Sequence, residues 1–551
     1  MYWLQITRHE ELLRKARKRY TASKIEEGER GKIYDVNSNL MAGNYQCYNV
    51  YATPNYYKIH KIDLNNVKKQ LQFFLQVPRQ KLDFRFKFAL KHKYGEAIVK
   101  RHVEISQIKK IKSLKDLTRG LRIKKVSRRF YPKGEMLSHI IGYLSYDEHS
   151  EGLIRPQLGI EKAFNKLLSP TIGTRYYEKT ARGEIIYCND FSSLKPQNGC
   201  DIYLTMEEPI QHILDEELQK LVLKFKPKVA YALMVNPKNG RIMGISQHPT
   251  FNLNKLTEAT ADKLRNRVLG DGFEPGSVMK AISIAGAFDY NIVSLDSKFD
   301  CEKGSWYHAS KILHDSGHSY SILSVREIIQ KSSNIGTAKI ALKMGKNRLW
   351  QTLNRFGFGR KTGISLPGEA SGIFRKLKKW DSLSITRFSI GQGILVTPLQ
   401  LVQAYSALAN EGIMCQPHII DRIIAENGIT KTTPTLKMQR VLRKSSAKKM
   451  TEALKLVTKK GGTGTKAAVP GYEVAGKTGT GQKFVDGAYS HSKYVSSFIG
   501  YVPADNPAFV LLVVADEPSK ISYYGGTVSG PTFRRISEQT LKYLEVSKKQ
   551  N

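Results

Sequence analysis

Phe273-Glu-Pro-Gly-Ser-Val-Met-Lys280 leads into an apolar helical run, Val278 to Phe288. The Pro275-Gly276 pair breaks whatever precedes it, so the spacing predicts a helix that begins at Ser277. The Ser277 hydroxyl then sits where helix backbone N–H groups face an incoming anion. Lys280, three positions on, lies one turn along the same face, with its amine in reach of that hydroxyl. A serine is a poor nucleophile without an adjacent base, and this spacing supplies one. In a chain this rich in lysine and serine the pattern also arises by chance, so it needs partners.

Two further stretches provide them. Lys331-Ser-Ser-Asn334 stands before the helical run Ile335 to Met344. A backbone turn there would let the Ser332 hydroxyl and the Asn334 amide line one wall of a cleft, although a serine in this position is commonly a helix cap. Ala475-Gly-Lys-Thr-Gly-Thr480 sets a lysine between glycines beside a strand-like run, Glu473 to Ala475, which suits close backbone approach and recognition of a carboxylate. Gly471 to Thr478 also satisfies the phosphate-loop pattern G-x-x-x-x-G-K-[ST]. That motif needs its strand before the first glycine and a helix at the Lys-Thr. Here the strand-like residues fall inside the loop, and Gly479, Gly481 and the turn-like Asp486-Gly487 follow.

Around residue 200 the character of the chain changes. Upstream, from Tyr34 to about Leu194, short β-like runs and helical pieces mix with basic clusters such as Lys109-Lys110, Lys124-Lys125 and Arg128-Arg129. Downstream, Asp201 to Thr205 and Ala230 to Val235 read as strands, and Ile210 to Lys224 as an amphipathic helix. Helices are expected over Val325 to Gln330 and Thr397 to Asn410. Strands are expected again at Ser497 to Tyr501 and Phe509 to Val514, before a last helix from Pro531 to about Val546. Strands early and late with helices between them imply a sheet whose elements come from both ends of the domain.

The 551 residues carry 88 Lys and Arg against 48 Asp and Glu, a net charge of +40. This balance favours anionic surroundings such as a membrane face or an acidic polymer. Aromatics interleaved for base stacking are not evident among the basic clusters, which argues against nucleic acid. Five cysteines (47, 188, 200, 301, 415) form no C-x-x-C pair and no His-rich cluster. Spacing shows neither a zinc site nor a disulfide framework, so they are expected to be structural thiols; a Cys188–Cys200 bridge is geometrically possible but unsupported. No apolar run approaches the ~18 residues of a membrane-spanning helix, and a charged helical pattern occupies Glu10 to Arg19.

The order S-x-x-K, S-x-N, K-T-G resembles the signature set of penicillin-binding proteins and serine β-lactamases. Further stretches resemble the transpeptidase domain of class B penicillin-binding proteins: Phe356-Gly-Phe-Gly359, Leu366-Pro-Gly-Glu369, Gly391 to Gln400, Gly461-Gly-Thr-Gly-Thr465 and Tyr523-Tyr-Gly-Gly526. Arg30 to Asp35, Arg129-Phe-Tyr-Pro132, His139-Ile-Ile-Gly142 and Gly159-Ile-Glu161 resemble that family's non-catalytic pedestal. The resemblance implies an α+β fold, an antiparallel sheet with helices, preceded by an elongated mixed α/β pedestal. The expected division is a juxtamembrane helix at 1–29, a pedestal (dimerisation-type) domain at 30–195 and a transpeptidase domain at 196–551.

What the resemblance implies for chemistry is a D,D-transpeptidase that cross-links peptidoglycan stem peptides ending in D-Ala-D-Ala and is acylated by β-lactams. Ser277 would be the nucleophile, Lys280 its base, and Ser332 and Lys477 the proton relay. Asn334 would hold the substrate amide, with Thr478, Gly479 and Thr480 on the substrate carboxylate and the oxyanion. No metal or organic cofactor is called for. Ser-Ser-Asn with Gly-Lys-Thr-Gly-Thr is similar to the FtsI-type, division-specific members, whereas elongation-specific members more often place aspartate at position 334. Division membrane proteins, a glycosyltransferase among them, are the implied partners. In the family a single membrane-spanning helix precedes the counterpart of Leu4-Gln5-Ile6, which implies a catalytic domain anchored to the cytoplasmic membrane on its outer side, although this chain does not contain that helix. A β-lactamase or a β-lactam sensor shares the motifs. The former would not need the pedestal and would need a deacylating base that is not evident; the latter would need a multi-span signalling domain.

Overall fold

The computed structural model describes residues 3–91, 95–146, 154–180, 185–315, 317, 319–432, 437–485, 487–519 and 521–548. Asp486 of the expected turn and the side chain of Cys188 lie outside them. Cys200 is a buried free thiol, as are Cys47, Cys301 and Cys415. No helix among the described residues is long and apolar enough to cross a membrane. The N-terminal charged pattern forms a helix over His9–Tyr20.

Two compact units divide the chain, and the division is not a single cut. One unit takes Met1–Lys32, Leu40–Pro132 and Leu167–Cys200; the other takes Ile33–Asn39, Lys133–Lys166 and Asp201–Asn551. The chain passes between them at Lys32–Ile33, Asn39–Leu40, Pro132–Lys133, Lys166–Leu167 and Cys200–Asp201, so two of the motifs of the first half, Arg30–Asp35 and Arg129–Pro132, mark crossing points.

In the first unit, strand Leu40–Ala52 pairs antiparallel with Leu121–Phe130 and with Ala97–Val103. Helices Leu64–Leu75, Arg79–Lys91 and Ile105–Lys112 supply Val67, Leu71, Leu82, Phe86, Ile108 and Ile111 to its core. The third of these helices explains the basic clusters: Ile108 and Ile111 point inward, so Lys109, Lys110 and Lys112 point out to solvent. Arg129 is the exception. It is buried and donates to the Gly31 carbonyl at 2.7 Å and to Asn44 Oδ1 at 3.0 Å, tying two of the crossing segments together.

In the second unit Ile33–Tyr34 pairs in parallel with Ile202–Tyr203, which explains why this short piece leaves the first unit. His139 is anchored likewise: its Nε2 meets the Lys263 carbonyl at 2.7 Å, and burial pushes its imidazole down to about 4, so it is neutral. Gly142 and Gly159 clasp each other. A Cβ on Gly142 would lie 1.9 Å from the Leu158 carbonyl oxygen, and one on Gly159 2.2 Å from that of Ile140.

The main sheet has strands β1 (Val229–Val235), β2 (Ile242–His248), β5 (Ala475–Val485), β6 (Ala488–Val502) and β7 (Phe509–Asp516), while β3 (Ser305–His308) and β4 (Lys311–His314) form a separate hairpin. The sheet order is β2-β1-β7-β6-β5, antiparallel throughout. Helices α1 (Glu208–Phe225) and α6 (Gly530–Tyr543) share one core with it, including Leu214, Leu218, Phe498, Phe509, Phe533 and Ile536. Between them in sequence lie α2 (Met279–Asp289), α3 (Val325–Lys331), α4 (Asn334–Met344) and α5 (Pro398–Ala409). α2 is buried on every side from Met279 to Phe288, which is why its sequence is apolar all round and not striped.

Candidate active site

Ser277 is the middle residue of a 3₁₀ turn, Gly276–Val278, that runs straight into α2. Gly276 has φ +56, and its amide donates to the Gly391 carbonyl at 3.0 Å. A Cβ on Gly391 would come 2.2 Å from the Gly276 carbonyl oxygen, so the Gly391-Gln-Gly segment packs backbone to backbone behind the serine turn. Tyr405 of α5 donates its phenol proton to the Val278 carbonyl at 2.7 Å. Ser277 remains partly exposed, whereas Lys280, one helical turn on, is fully buried.

Lys280 Nζ reaches the Ser332 carbonyl at 2.6 Å, the Ser332 hydroxyl at 3.2 Å and Asn334 Oδ1 at 2.6 Å. Burial pushes this amine down to about 7, against the pull of the Asp315 carboxylate. The repulsion between the two amines falls on Lys477 itself, also fully buried, which burial and the charge of Lys280 hold well below the usual lysine value.

Ser332 carries the turn that the motif required. Its φ of 62 and ψ of 39 place it in the left-handed region between α3 and α4. The helix cap is Ser333, whose hydroxyl accepts from the Gly336 amide at 2.9 Å. Capping by the second serine leaves the first one's hydroxyl facing Lys280. The Asn334 amide nitrogen donates to the His314 carbonyl at 2.7 Å, which fixes its oxygen toward Lys280.

Lys477, Thr478, Gly479 and Thr480 lie within edge strand β5, which starts at Ala475 and runs on past them. The sequence placed a strand only beside this motif; a strand through it excludes a phosphate loop, since no helix opens at Thr478. Every second residue of an edge strand leaves backbone groups unpaired. Those of Thr480 face the serine turn, for a Cβ on Gly276 would lie 3.6 Å from both the Thr480 carbonyl oxygen and Gly481 Cα. Thr480 is partly exposed, and its hydroxyl accepts the Gly525 amide at 3.0 Å, keeping its own proton free to donate. Thr478 is nearly enclosed, with its hydroxyl 2.8 Å from that of Thr463 in the Gly461–Thr465 stretch.

Sequence reasoning did not find Asp315, immediately after β4. Its buried carboxylate accepts from Ser333 Oγ at 2.8 Å, the Asn334 amide at 2.5 Å and the Ile335 amide at 3.1 Å. Nor did it find Glu274, whose Oε1 accepts from the Gly393 amide at 2.9 Å and the Tyr489 hydroxyl at 3.3 Å beside the serine turn. Glu274 was legible only as part of the Glu-Pro-Gly-Ser run, and Asp315 had no local signal at all.

Comparison with known proteins agrees with this geometry. Residues 230–538 match the model of the penicillin binding protein transpeptidase domain, and 25–204 that of the penicillin-binding protein dimerisation domain. Peptidoglycan D,D-transpeptidase FtsI of Escherichia coli K12 is 31% identical over 99% of this chain and 88% of its own. Probable peptidoglycan D,D-transpeptidase PenA of Neisseria gonorrhoeae is 30% identical over 94% and 85%. Stage V sporulation protein D of Bacillus subtilis is 32% identical over 100% and 83%. Among solved structures, a peptidoglycan synthetase from Bifidobacterium adolescentis has the same fold, with TM-score 0.74 and 23% identity over 96% of this chain and 98% of its own. With both family models matched in order along nearly the whole chain, this protein belongs to the class B penicillin-binding proteins.

Proposed function

We propose that the chain is a serine D,D-transpeptidase of peptidoglycan, acting through an ester on Ser277. The observation that carries the reading is the partly exposed Ser277 one helical turn from a buried Lys280 that is hydrogen-bonded to Ser332 and Asn334. Burial lowers that amine to about 7, so near neutral pH a substantial fraction is uncharged and able to accept a proton.

Ser277 Oγ attacks the carbonyl carbon of the penultimate D-Ala, and its proton passes to Lys280 Nζ. The oxyanion is held by backbone N–H groups of Ser277 and Thr480. Collapse breaks the C–N bond; the proton that Lys280 received passes through Ser332 and Lys477 to the leaving D-Ala amine, so Lys280 is neutral again and an acyl-enzyme remains. An amine from a second stem peptide attacks the ester, gives up a proton to Lys280, and Ser277 leaves protonated. Asn334 orients the substrate amide, Thr480 donates to the terminal carboxylate with Thr478 beside it, and Gly479 lets the strand lie close. β-Lactams enter by the same attack.

The Ser-Ser-Asn and Gly-Lys-Thr-Gly-Thr motifs and the full-length likeness to FtsI support septal synthesis, with division membrane proteins including a glycosyltransferase as partners. Stem-peptide chemistry places the catalytic domain outside the cytoplasmic membrane. Labelled penicillin with peptide mass mapping tests the chemistry: label at Ser277 and none in Ser277→Ala is expected, and label elsewhere overturns it. Depletion tests the role. Filaments without septa are expected, and rounded cells that still divide overturn it.

A further inference from the structure

The hairpin β3–β4 ends at two residues that grip the Ser332–Asn334 turn from the same side. The His314 carbonyl takes the Asn334 side-chain amide, and the Asp315 carboxylate takes the Ser333 hydroxyl and the Asn334 backbone amide of the turn and the Ile335 amide that follows it. Asp315 lies in contact with the first turn of an 11-residue helix, α4, where a negative charge is favoured. It is buried, and its own amide is tied to the Gly304 carbonyl at 3.0 Å, so the carboxylate is held from both ends of the hairpin.

We propose that Asp315 is a positioning residue for acylation: it fixes the Ser332–Asn334 turn, so that Ser332 and the Asn334 side-chain oxygen are presented to Lys280. The inference rests on Ser277 and Lys280 being nucleophile and base. On the α3 side the left-handed turn is held by the Ser332 and Ser333 amides on the Ile329 and Ile328 carbonyls, at 3.3 and 3.0 Å; on the α4 side Asp315 holds Ser333 and Asn334, and without that clamp the Asn334 oxygen and the Ser332 hydroxyl would lose their fixed aim at the lysine amine. Asp315 also contributes charge. Lys280 is faced by Asp315 from the hairpin and by Lys477 from β5, and Asp315 in turn by Cys301 and Tyr320. Of these, Asp315 alone favours the protonated lysine.

The two effects separate in a pH profile. Acylation of the full chain by labelled penicillin is measured from pH 5 to 9 for wild type, Asp315→Asn and Asp315→Ala, with melting curves for each. Asp315→Asn keeps an oxygen for the two backbone amides but loses the charge, so the acid limb moves about one pH unit lower while the plateau stays within about ten-fold. Asp315→Ala loses the clamp, and its plateau falls about 100-fold. A purely structural role would leave the limb in place and would lower labelling only in proportion to lost folded protein. A folded Asp315→Ala with the wild-type plateau, or an Asp315→Asn limb that stays put or rises, overturns the proposal. If Asp315→Ala does not fold, the limb of Asp315→Asn decides. Wild type that takes no label at Ser277 fails the functional reading first, and this inference with it.

Discussion

Lys280 Nζ and Asn334 Oδ1 are 2.6 Å apart, so the residue expected to hold the substrate amide is already engaged by the base before substrate arrives. With its nitrogen end on His314, Asn334 has one defined orientation. Binding and proton transfer are therefore coupled through a single side chain: a substrate N–H that takes this oxygen competes with the lysine for it.

Asn334→Asp turns that neutral acceptor into a carboxylate at hydrogen-bonding distance from the amine. An opposite charge so close favours the ammonium by about one to three pH units. The acid limb of penicillin acylation should therefore move upward, opposite to Asp315→Asn, and the rate at pH 7 should fall about ten-fold or more. Stopped-flow acylation across pH checks both.

Stability should carry the same signature. An unfolded lysine holds its proton to about pH 10.4, whereas folded Lys280 releases it near 7. Between these values the unfolded chain binds more protons, so stability rises with pH through this window, and below about 7 the cost of charging the buried amine is felt in full. Relative to Lys280→Met, wild type should gain a few kcal/mol between pH 6 and 10. Urea unfolding followed by tryptophan fluorescence at several pH values measures it. A gap that does not change with pH would show that Lys280 titrates normally.

Gly479→Ala should fold yet acylate about 100-fold more slowly. The new Cβ would stand 2.2 Å from Ser497 Oγ, 3.1 Å from Val278 Cγ1 and 3.3 Å from the Pro275 carbonyl oxygen, wedging β5 away from the serine turn. Adding Ser497→Ala removes the tightest of these contacts and should restore part of the rate.

Ser332 needs a different replacement from the usual alanine. Because its φ is 62, glycine suits the backbone better, by about 1 kcal/mol. Ser332→Gly should melt no lower than wild type while losing at least about ten-fold in acylation, because the hydroxyl is gone. Equal rates for wild type and Ser332→Gly would remove Ser332 from the proton path.

The order of three short motifs made much of this site legible, because each sits at a local break that sequence shows: Pro-Gly before Ser277, a helix start after Ser333, glycines around Lys477. The sheet was legible from both ends, since β1, β7 and the last residues of β6 are largely apolar runs bounded by turn residues. Strand β2 was missed; its Gly244, Ser246 and Gln247 dilute the apolar pattern even though they are buried or packed against α1. Asp315 was invisible because its partners lie 18 to 20 positions away and meet it only through the turn at Ser332. The interleaving of the two units was hidden for a similar reason, as the pairing of Ile33 with Ile202 has no counterpart in local pattern.

The strand order β2-β1-β7-β6-β5 places the first strands of the sheet beside the last, with β7 between β1 and β6. Ser277 and Lys280 are made long before β5 and β7, yet β5 supplies the opposite wall of their cleft and β7 joins that strand pair to β1. A nascent chain therefore carries the nucleophile through much of its synthesis without a working site, and closing the sheet is a late, long-range event. Acylating power should emerge all at once when β7 docks, which makes covalent penicillin capture a reporter of completed folding as well as of catalysis.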